Sequence, residues 1–379
     1  MLTIAGAATL AIWVYLFLFH GRFWRIGLSV APPPAEILPL RIAVIMPARD
    51  EADVVGRSVI SLVNQEGGHS IHVFVIDDGS SDGTAEIARE AATTAGKPEQ
   101  LTVIQGTQLP PGWSGKLWAV QQGLGQAEAT RPDFYLLTDA DIFHAPDNVA
   151  SLAAIAQLRG FDLVSVMVRL YCRTFAERAL IPAFVFFFLK LYPPAWISSP
   201  RYRTAGAAGG SILIRPEALK RAGGIEAIRG EVIDDCALAR RVKQSGGRVW
   251  LGLAPLTESI RSYGTFAEIG RMISRGAFNQ LKHSSGMLLL ALLGLTMTYL
   301  LPPLLSFSHR VIPALLGAAA WVLMAICFLP TVRFYRLSPL WVLALPWIAI
   351  FYMGASIHSA ISFWSGRGGQ WKGRIQDPC

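Results

Sequence analysis

The stretch Phe134-Tyr-Leu-Leu-Thr-Asp-Ala-Asp141 joins an apolar segment to two acidic residues. We predict a strand over Phe134–Thr138 that ends in the pair Asp139 and Asp141. Both carboxylates can then project from one turn toward a single divalent ion, and hard oxygen ligands favour Mg²⁺ or Mn²⁺. Such ions are usually held by one or two carboxylates together with substrate phosphates. The alternative interpretation of an Asp-x-Asp pair is a solvated turn.

Upstream and downstream of this stretch, short apolar strands alternate with amphipathic helical segments. From Pro39 to about Lys282 this rhythm predicts an α/β domain with a mostly parallel sheet. Helices are expected over Glu51–Asn64 and from about Asp82, which we expect to act as an N-cap. Three further strands are predicted before the opening stretch: Arg41–Met46 ended by Pro47, His72–Ile76, and Leu101–Ile104.

Polar residues follow several of these strands at the point where each ends. Pro47-Ala-Arg-Asp-Glu51 follows the first strand, and Asp77-Asp78-Gly79-Ser80 follows the second. Open α/β sheets bind ligands at the carboxyl ends of their strands. A carboxylate there can accept hydrogen bonds from a nucleobase N–H or a ribose hydroxyl, and glycine permits a tight turn beside a ligand. A plain turn is the alternative.

Three later motifs complete the candidate site. Gly112-Trp-Ser-Gly-Lys116 places a lysine in a glycine-flanked loop before a helix, which suits a diphosphate, but it is not a Walker A loop. Asp234-Asp235 opens a helix, where Asp235 can act as a general base and Asp234 as a cap. The small-residue segment 206–214 is typical of a backbone that passes close to a substrate before entering a strand.

The composition places part of the chain in lipid. Hydrophobic residues make up 52% of the 379 residues and charged residues only 16%, against about 25% charged in soluble domains. Residues 2–19 are apolar and uncharged, so we predict an N-terminal anchor over 1–25. Apolar runs at 286–306, 311–330 and 340–363 predict C-terminal transmembrane helices within 286–364. Segment 175–199 is interpreted as an interfacial helix, with a buried core helix as the alternative.

Lysine and arginine outnumber aspartate and glutamate by 34 to 26. Basic clusters interleaved with stacking aromatics are absent from the sequence, so nucleic acid is not expected as a partner. The four cysteines are widely spaced and form no Cys-x-x-Cys motif, which indicates ordinary thiols in a reducing compartment.

Taken in order, these motifs resemble family 2 glycosyltransferases with the GT-A fold. With the Gly-Trp-Ser-Gly-Lys-x-Trp-Ala loop and the closing Gln-Trp-Lys-Gly-Arg, the chain most resembles hopene-associated glycosyltransferases, and ceramide glucosyltransferases more distantly. The resemblance implies an inverting single displacement from a nucleotide-sugar donor, with UDP as the default, to a membrane lipid such as a hopanoid. It implies that Asp235 is the base and that Asp139 and Asp141 hold Mg²⁺ or Mn²⁺. The implied donor-binding residues are Pro47, Arg49, Glu51, Asp78, Gly79, Lys116, Asp139 and Arg275.

Processive members of the family carry Gln-x-x-Arg-Trp after the base, whereas this chain reads Arg271-Met-Ile-Ser-Arg275-Gly-Ala-Phe. The missing tryptophan favours single transfer over a polysaccharide synthase. A nucleotide-binding membrane protein without transferase activity is the third possibility. The expected arrangement is an inner-membrane protein whose domain over 39–284 faces the cytoplasm. If the protein makes four complete crossings, the basic tail, 365–379, lies outside the cell, which conflicts with the preference of basic residues for the cytoplasmic side.

Overall fold

The computed structural model describes residues 1–26 and 38–366, together with the backbone of residues 370, 371, 374 and 375. The predicted tail, with Arg367, Lys372 and Arg374, lies largely outside the described residues. The strands are β1 Arg41–Ala48, β2 Ser70–Asp77, β3 Leu101–Gln105, β4 Phe134–Leu137, β5 Ile142–Phe143, β6 Leu163–Arg169, β7 Ile212–Ile214, β8 Val249–Ser259, β9 Gln370–Trp371 and β10 Arg374–Ile375. The α-helices are α1 Leu2–Leu18, α2 Ala52–Val63, α3 Thr84–Thr94, α4 Gly115–Ala127, α5 Asn148–Arg159, α6 Phe175–Leu191, α7 Pro194–Ile197, α8 Pro216–Arg221, α9 Asp234–Gln244, α10 Phe266–Gln280, α11 Ser285–Leu295, α12 Leu301–Ser306, α13 Val311–Phe334 and α14 Leu345–Trp364.

The described residues form two compact units, and the first is an α/β unit built from residues 38–171 and 196–261. Its eight strands form one sheet in the order β3-β2-β1-β4-β7-β6-β8-β5. The pairs β3–β2, β2–β1, β1–β4 and β6–β8 are parallel, while β7 and β5 run antiparallel to their neighbours. The predicted mixed, mostly parallel sheet is therefore confirmed.

The reversed direction of β7 has a direct consequence for the site. Leu137, the last residue of β4, pairs with Ile212, the first residue of β7. The segment that precedes β7, with Gly209 and Gly210, therefore meets the segment that follows β4, with Asp139, at one edge of the sheet. The first two strands are mostly apolar and mostly buried, which fixes this edge on a rigid core.

Two local predictions need correction. Strand β1 continues through Pro47 to Ala48. Helix α3 begins at Thr84 with Gly83 at the N-cap position, so the predicted N-cap at Asp82 was wrong. The carboxylate of Asp82 instead lies one residue earlier and accepts hydrogen bonds from Thr84 N (3.1 Å) and from Ala52 N (2.9 Å). It therefore joins the starts of two helices.

The second unit comprises residues 1–26, 172–195 and 262–366. Four segments of the described chain are long and apolar enough to cross a membrane: Phe175–Ile197, Ser285–Ser306, Val311–Phe334 and Pro339–Trp364. Helix α1 has 17 residues, and at 1.5 Å per residue it measures about 26 Å, slightly less than a typical hydrocarbon core. The three predicted C-terminal apolar runs are helical, as expected.

The first C-terminal segment changes its helical winding halfway. Residues Thr296–Leu300 form a π-helical turn just before the prolines at 302 and 303. Pro302 has no N–H, so it cannot donate to the carbonyl of Thr298 four residues earlier. Trp13 of α1 supplies the missing donor through its indole N–H (2.7 Å), and Thr9 bonds the carbonyl one residue earlier (2.7 Å). In this apolar unit, side chains thus satisfy the polar groups freed by proline.

Candidate active site

The loops that follow β1 and β2 are bound to each other. Arg49 donates from Nη1 to the backbone carbonyl of Asp78 and forms an ion pair with its carboxylate (3.7 Å). Gly79 adopts a left-handed backbone conformation (φ 69°), which suits the turn at this point. Because Asp78 N donates to Ala48 O (2.9 Å), the second loop is fixed to the end of the first strand. The structure therefore brings Arg49, Asp78 and Gly79 together, as the sequence predicts.

Arg261 connects the start of α2 with the Asp-x-Asp turn. It donates from Nη2 to the Glu51 carboxylate and from Nε to Asp141 Oδ2 (3.2 Å). The hydroxyl of Ser259 also donates to Asp141 Oδ2 (2.9 Å), so two donors hold this carboxylate oxygen. The sequence does not single out Arg261, although it lies two residues after the end of β8 and two carboxylates converge on it.

Lys116 lies in the first turn of α4, which Ser114 caps by accepting a hydrogen bond from Leu117 N. Its ammonium group forms ion pairs with Asp139 Oδ1 (2.8 Å) and with Asp234 Oδ2 (3.1 Å). Burial opposes the charge on Lys116, but the carboxylates of Asp139 and Asp234 outweigh that effect and raise its pKa. Lys116 therefore stays protonated. Asp234 is the first residue of α9 and pairs with Lys116, so its predicted role as a cap was wrong.

Asp235 follows on the same helix and has different partners. Its Oδ2 accepts a hydrogen bond from Gly209 N (2.8 Å) and its Oδ1 accepts one from Cys236 N (2.7 Å). Burial and the adjacent Asp234 carboxylate raise the pKa of Asp235 to about 7, against the opposing effect of Lys116. Such a carboxyl group can gain or lose a proton near neutral pH, which is the property required of a general base.

Some of these residues line a cavity at the carboxyl edge of the sheet. Its polar wall contains Lys116, Asp139, Asp234 and Asp235, and its remaining wall is apolar. Glu51 and Asp78 do not line it. The full lining is Ile45, Pro47, Lys116, Leu117, Val120, Leu137, Thr138, Asp139, Gly209, Ile212, Ile225, Ile228, Asp234, Asp235 and Leu238.

A hydrogen-bond network around the buried His144 connects the end of β4 with the segment that precedes β7. Thr138 donates from its hydroxyl to the carbonyl of Gly210 (2.8 Å) and lies 2.9 Å from Nε2 of His144. Since the Thr138 proton points to Gly210, the His144 Nε2–H donates to Thr138, while Nδ1 accepts from the Asn148 amide (3.0 Å). Burial lowers the pKa of His144 to about 3, so the ring is neutral. This network fixes the backbone beside Asp139, and no motif in the sequence indicates it.

The two carboxylates of the Asp-x-Asp motif each have a basic partner on the protein itself: Lys116 for Asp139 and Arg261 for Asp141. Among the described residues, no three His, Cys, Asp or Glu side chains are gathered as a metal site. Arg275 lies exposed on α10 of the other unit. Its predicted role at the diphosphate stays a prediction.

Comparison with known proteins shows what this α/β unit resembles. The family description "Glycosyl transferase family 2" matches residues 43–223, a little under half of the chain, and the sheet is that of the GT-A fold. A 4,4'-diaponeurosporenoate glycosyltransferase of Staphylococcus aureus is 33% identical over 120 residues, which cover 31% of this chain and 29% of that protein. An undecaprenyl-phosphate 4-deoxy-4-formamido-L-arabinose transferase of Pseudomonas savastanoi is 27% identical over 99 residues, 26% of each chain.

These matches span less than a third of the relatives' own length. A solved structure similar to almost the whole chain is the mannosyltransferase PcManGT from Pyrobaculum calidifontis in complex with GDP-Man and Mn²⁺. It has a TM-score of 0.56 at 18% identity, covering 96% of this chain and 99% of that one. This likeness shows the shared fold.

Proposed function

We propose that the protein is an inverting, metal-dependent glycosyltransferase that moves a single sugar from a nucleotide-diphosphate donor to a lipid of the membrane. The observation that carries the proposal is the polar wall of the cavity. There, the Lys116 ammonium lies between two carboxylates, and Asp235, a carboxylate suited to accept a proton, is fixed on the same helix as one of them. All of these groups lie at the sheet edge where α/β folds bind their ligands.

Different groups would bind different parts of the donor: a cationic group the diphosphate, and acidic groups the nucleoside. Lys116, in the first turn of α4, suits the negative diphosphate both through its charge and through the free N–H groups of the helix start. Glu51 lies in the loop that follows β1, and Asp78 directly follows β2; at these positions carboxylates can accept hydrogen bonds from a nucleoside. Arg49 orders this region because it binds both the backbone and the side chain of Asp78.

The Asp-x-Asp residues fit a divalent metal. Both offer hard carboxylate oxygens, and Asp139 retains 37% exposure of its side chain and Asp141 14%. Asp139 and Asp141 would hold Mg²⁺ or Mn²⁺, and the bound ion would offset the negative charge that develops on a departing diphosphate. The complex of PcManGT with Mn²⁺ and a nucleotide sugar is consistent with this assignment.

Asp235 is the proposed base. As the acceptor hydroxyl oxygen forms its bond to the anomeric carbon, its proton moves to Asp235, and the bond between that carbon and the diphosphate oxygen breaks with its electron pair on the diphosphate. A single displacement of this kind inverts the anomeric configuration. The hydrogen bonds from Gly209 and Cys236 fix the carboxylate in one orientation, which general-base catalysis requires.

The apolar unit supports a lipid acceptor. Its helices are long enough to hold the protein in a bilayer, and the acceptor in the name of one relative, undecaprenyl phosphate, is a membrane lipid. A single transfer is preferred over processive synthesis because no Gln-x-x-Arg-Trp motif follows Asp235. A UDP-sugar and a hopanoid are the first donor and acceptor to test.

The distribution of basic residues supports an inner-membrane protein whose α/β unit faces the cytoplasm. Arg22, Arg25, Arg333 and Arg336 flank the apolar helices on the side that this orientation makes cytoplasmic. Residues on both sides of Phe175–Ile197 belong to the same α/β unit. One helix that crosses the bilayer would separate them, so we propose that this segment lies in the interface.

The test is a transfer assay with membranes that contain the protein, a panel of radiolabelled UDP- and GDP-sugars, and a lipid extract that includes hopanoids. We expect label in the organic phase, on a lipid heavier by one sugar, and its loss when divalent metal is chelated. Long water-soluble products would support a polysaccharide synthase instead. Absence of product with every donor would support a binding protein.

A further inference from the structure

Both acidic residues of the Asp-x-Asp motif are neutralised by cations of the chain itself. The Lys116 ammonium lies 2.8 Å from Asp139, and the Arg261 guanidinium lies 3.2 Å from Asp141. Each cation also has a second acidic partner, Asp234 for Lys116 and Glu51 for Arg261. Either cation can therefore leave its Asp-x-Asp carboxylate and still be paired with its second acidic partner.

This arrangement disfavours a metal ion that arrives alone. A divalent cation near either carboxylate is repelled by the positive charge already there, and the repulsion is stronger than in bulk water because these side chains are partly shielded from solvent. The described residues also offer no third clustered acidic or histidine ligand. A metal therefore needs oxygen ligands from elsewhere.

A nucleoside diphosphate removes both obstacles together. Its phosphate oxygens are ligands for the metal, and its negative charge attracts Lys116 and Arg261 away from the two aspartates. We propose that Lys116 and Arg261 are exchangeable counter-ions that keep Asp139 and Asp141 neutralised until the donor diphosphate arrives, so that metal and nucleotide bind as one coupled event. This inference rests on the proposed function because it takes a nucleoside diphosphate as the ligand.

The experiment measures Mn²⁺ binding without nucleotide, through the electron paramagnetic resonance signal of unbound Mn²⁺, on the full chain in detergent. Lys116→Met and Arg261→Met are each expected to bind Mn²⁺ at least tenfold more tightly than the unmodified protein. Lys116→Arg, which keeps the charge, is expected to bind it as weakly as the unmodified protein. The double variant with Lys116→Met and Asp139→Asn should lose the gain, because the carboxylate that was uncovered is removed.

Arg169→Met is the matched control. Arg169 also forms an ion pair with a carboxylate, Glu258 (2.5 Å), at comparable exposure in the same unit, but it does not line the cavity. This variant removes one positive charge without uncovering either aspartate, so its Mn²⁺ affinity should stay unchanged. Thermal unfolding of each variant confirms that the comparison is made on folded protein.

A second titration adds UDP or GDP. In the unmodified protein, the matching nucleotide should raise the affinity for Mn²⁺. The rise should be smaller in Lys116→Met, because the nucleotide no longer has to draw the Lys116 ammonium away from Asp139, and this exchange is one source of the coupling between nucleotide and metal. If both methionine variants bind Mn²⁺ no more tightly than the unmodified protein, the counter-ion inference is wrong. The transfer assay tests the proposed function separately. If product forms but the metal affinities of the variants are unchanged, only the counter-ion inference is overturned. If the methionine variants bind Mn²⁺ more tightly but no product forms, only the proposed function is overturned.

Discussion

At the scale of single residues, Asp235 differs from the other carboxylates of the site. Asp139, Asp141 and Asp234 each form an ion pair with a lysine or an arginine. Asp235 instead accepts backbone hydrogen bonds and lies next to a negative neighbour. Two adjacent acidic residues thus have different environments, and Asp235, with its pKa raised to about 7, is suited to take up a proton near neutral pH.

This difference predicts a pH dependence. Asp235 must be deprotonated to act as a base, so kcat/KM, which reports the free enzyme, should fall about tenfold per pH unit below the Asp235 pKa of about 7. Asp234→Asn removes a negative charge that raises the pKa of Asp235 and should move this acid limb to lower pH. The measurement is the pH profile of kcat/KM for both proteins. An acid limb that stays at the same pH in Asp234→Asn contradicts the electrostatic account.

The sequence predicts some of the site residues and misses others for a physical reason. Lys116, Asp139 and Asp235 stand in short motifs whose spacing is visible locally. Arg261 has no such motif, because its partners lie 120 and 210 residues away along the chain and meet it only in the folded sheet. His144 is missed because its partners are buried hydroxyl and amide groups, which leave no pattern in the sequence.

At the scale of secondary-structure elements, the position of Lys116 depends on how closely α4 approaches the sheet. Gly123 allows that approach: a Cβ atom there would lie 2.5 Å from a side-chain carbon of Ile76 and 2.8 Å from one of Ile45. Gly125, on the same helix, has open space around it. The two glycines therefore have different surroundings, although they lie only two residues apart in the same helix.

Alanine substitutions test this difference. Gly123→Ala should destabilise the protein by about 1–3 kcal/mol, because the helix must move away from β1 and β2. Gly125→Ala should be neutral or stabilise it by up to about 1 kcal/mol, because alanine favours the helix. Thermal unfolding of both variants is the measurement. Equal effects would show that α4 tolerates a larger separation from the sheet.

The order of the elements was predictable and their exact ends were not. Apolar periodicity identified the first four strands and α2, whose observed span Ala52–Val63 has the two predicted end residues as caps. The start of α3 was misplaced because Asp82 resembles a cap, whereas its carboxylate also bonds α2, a long-range contact. The π-helical turn at Thr296–Leu300 depends on donors from α1, which the local sequence does not reveal.

At the scale of the whole molecule, the proposed topology makes the segment Phe175–Ile197 interfacial. Single cysteines introduced at Glu90 and Gln244, both exposed and on opposite sides of that segment in the sequence, should react with an impermeant maleimide only from the cytoplasmic side. The background is the chain with its four native cysteines replaced. A cysteine at Ser308, between α12 and α13, should react from the outside. Labelling of the cysteines at positions 90 and 244 from opposite sides of the membrane would show that the segment crosses it.

The central claim is that the polar wall of the cavity performs sugar transfer with Asp235 as its base. The most direct measurement compares Asp235→Asn with the unmodified protein in both donor binding and turnover. We predict that nucleotide-sugar affinity changes by less than about threefold while kcat falls by about 10²–10⁴-fold, the range expected for loss of a general base. Turnover that persists in Asp235→Asn at the unmodified rate, with the donor still bound, would contradict the account.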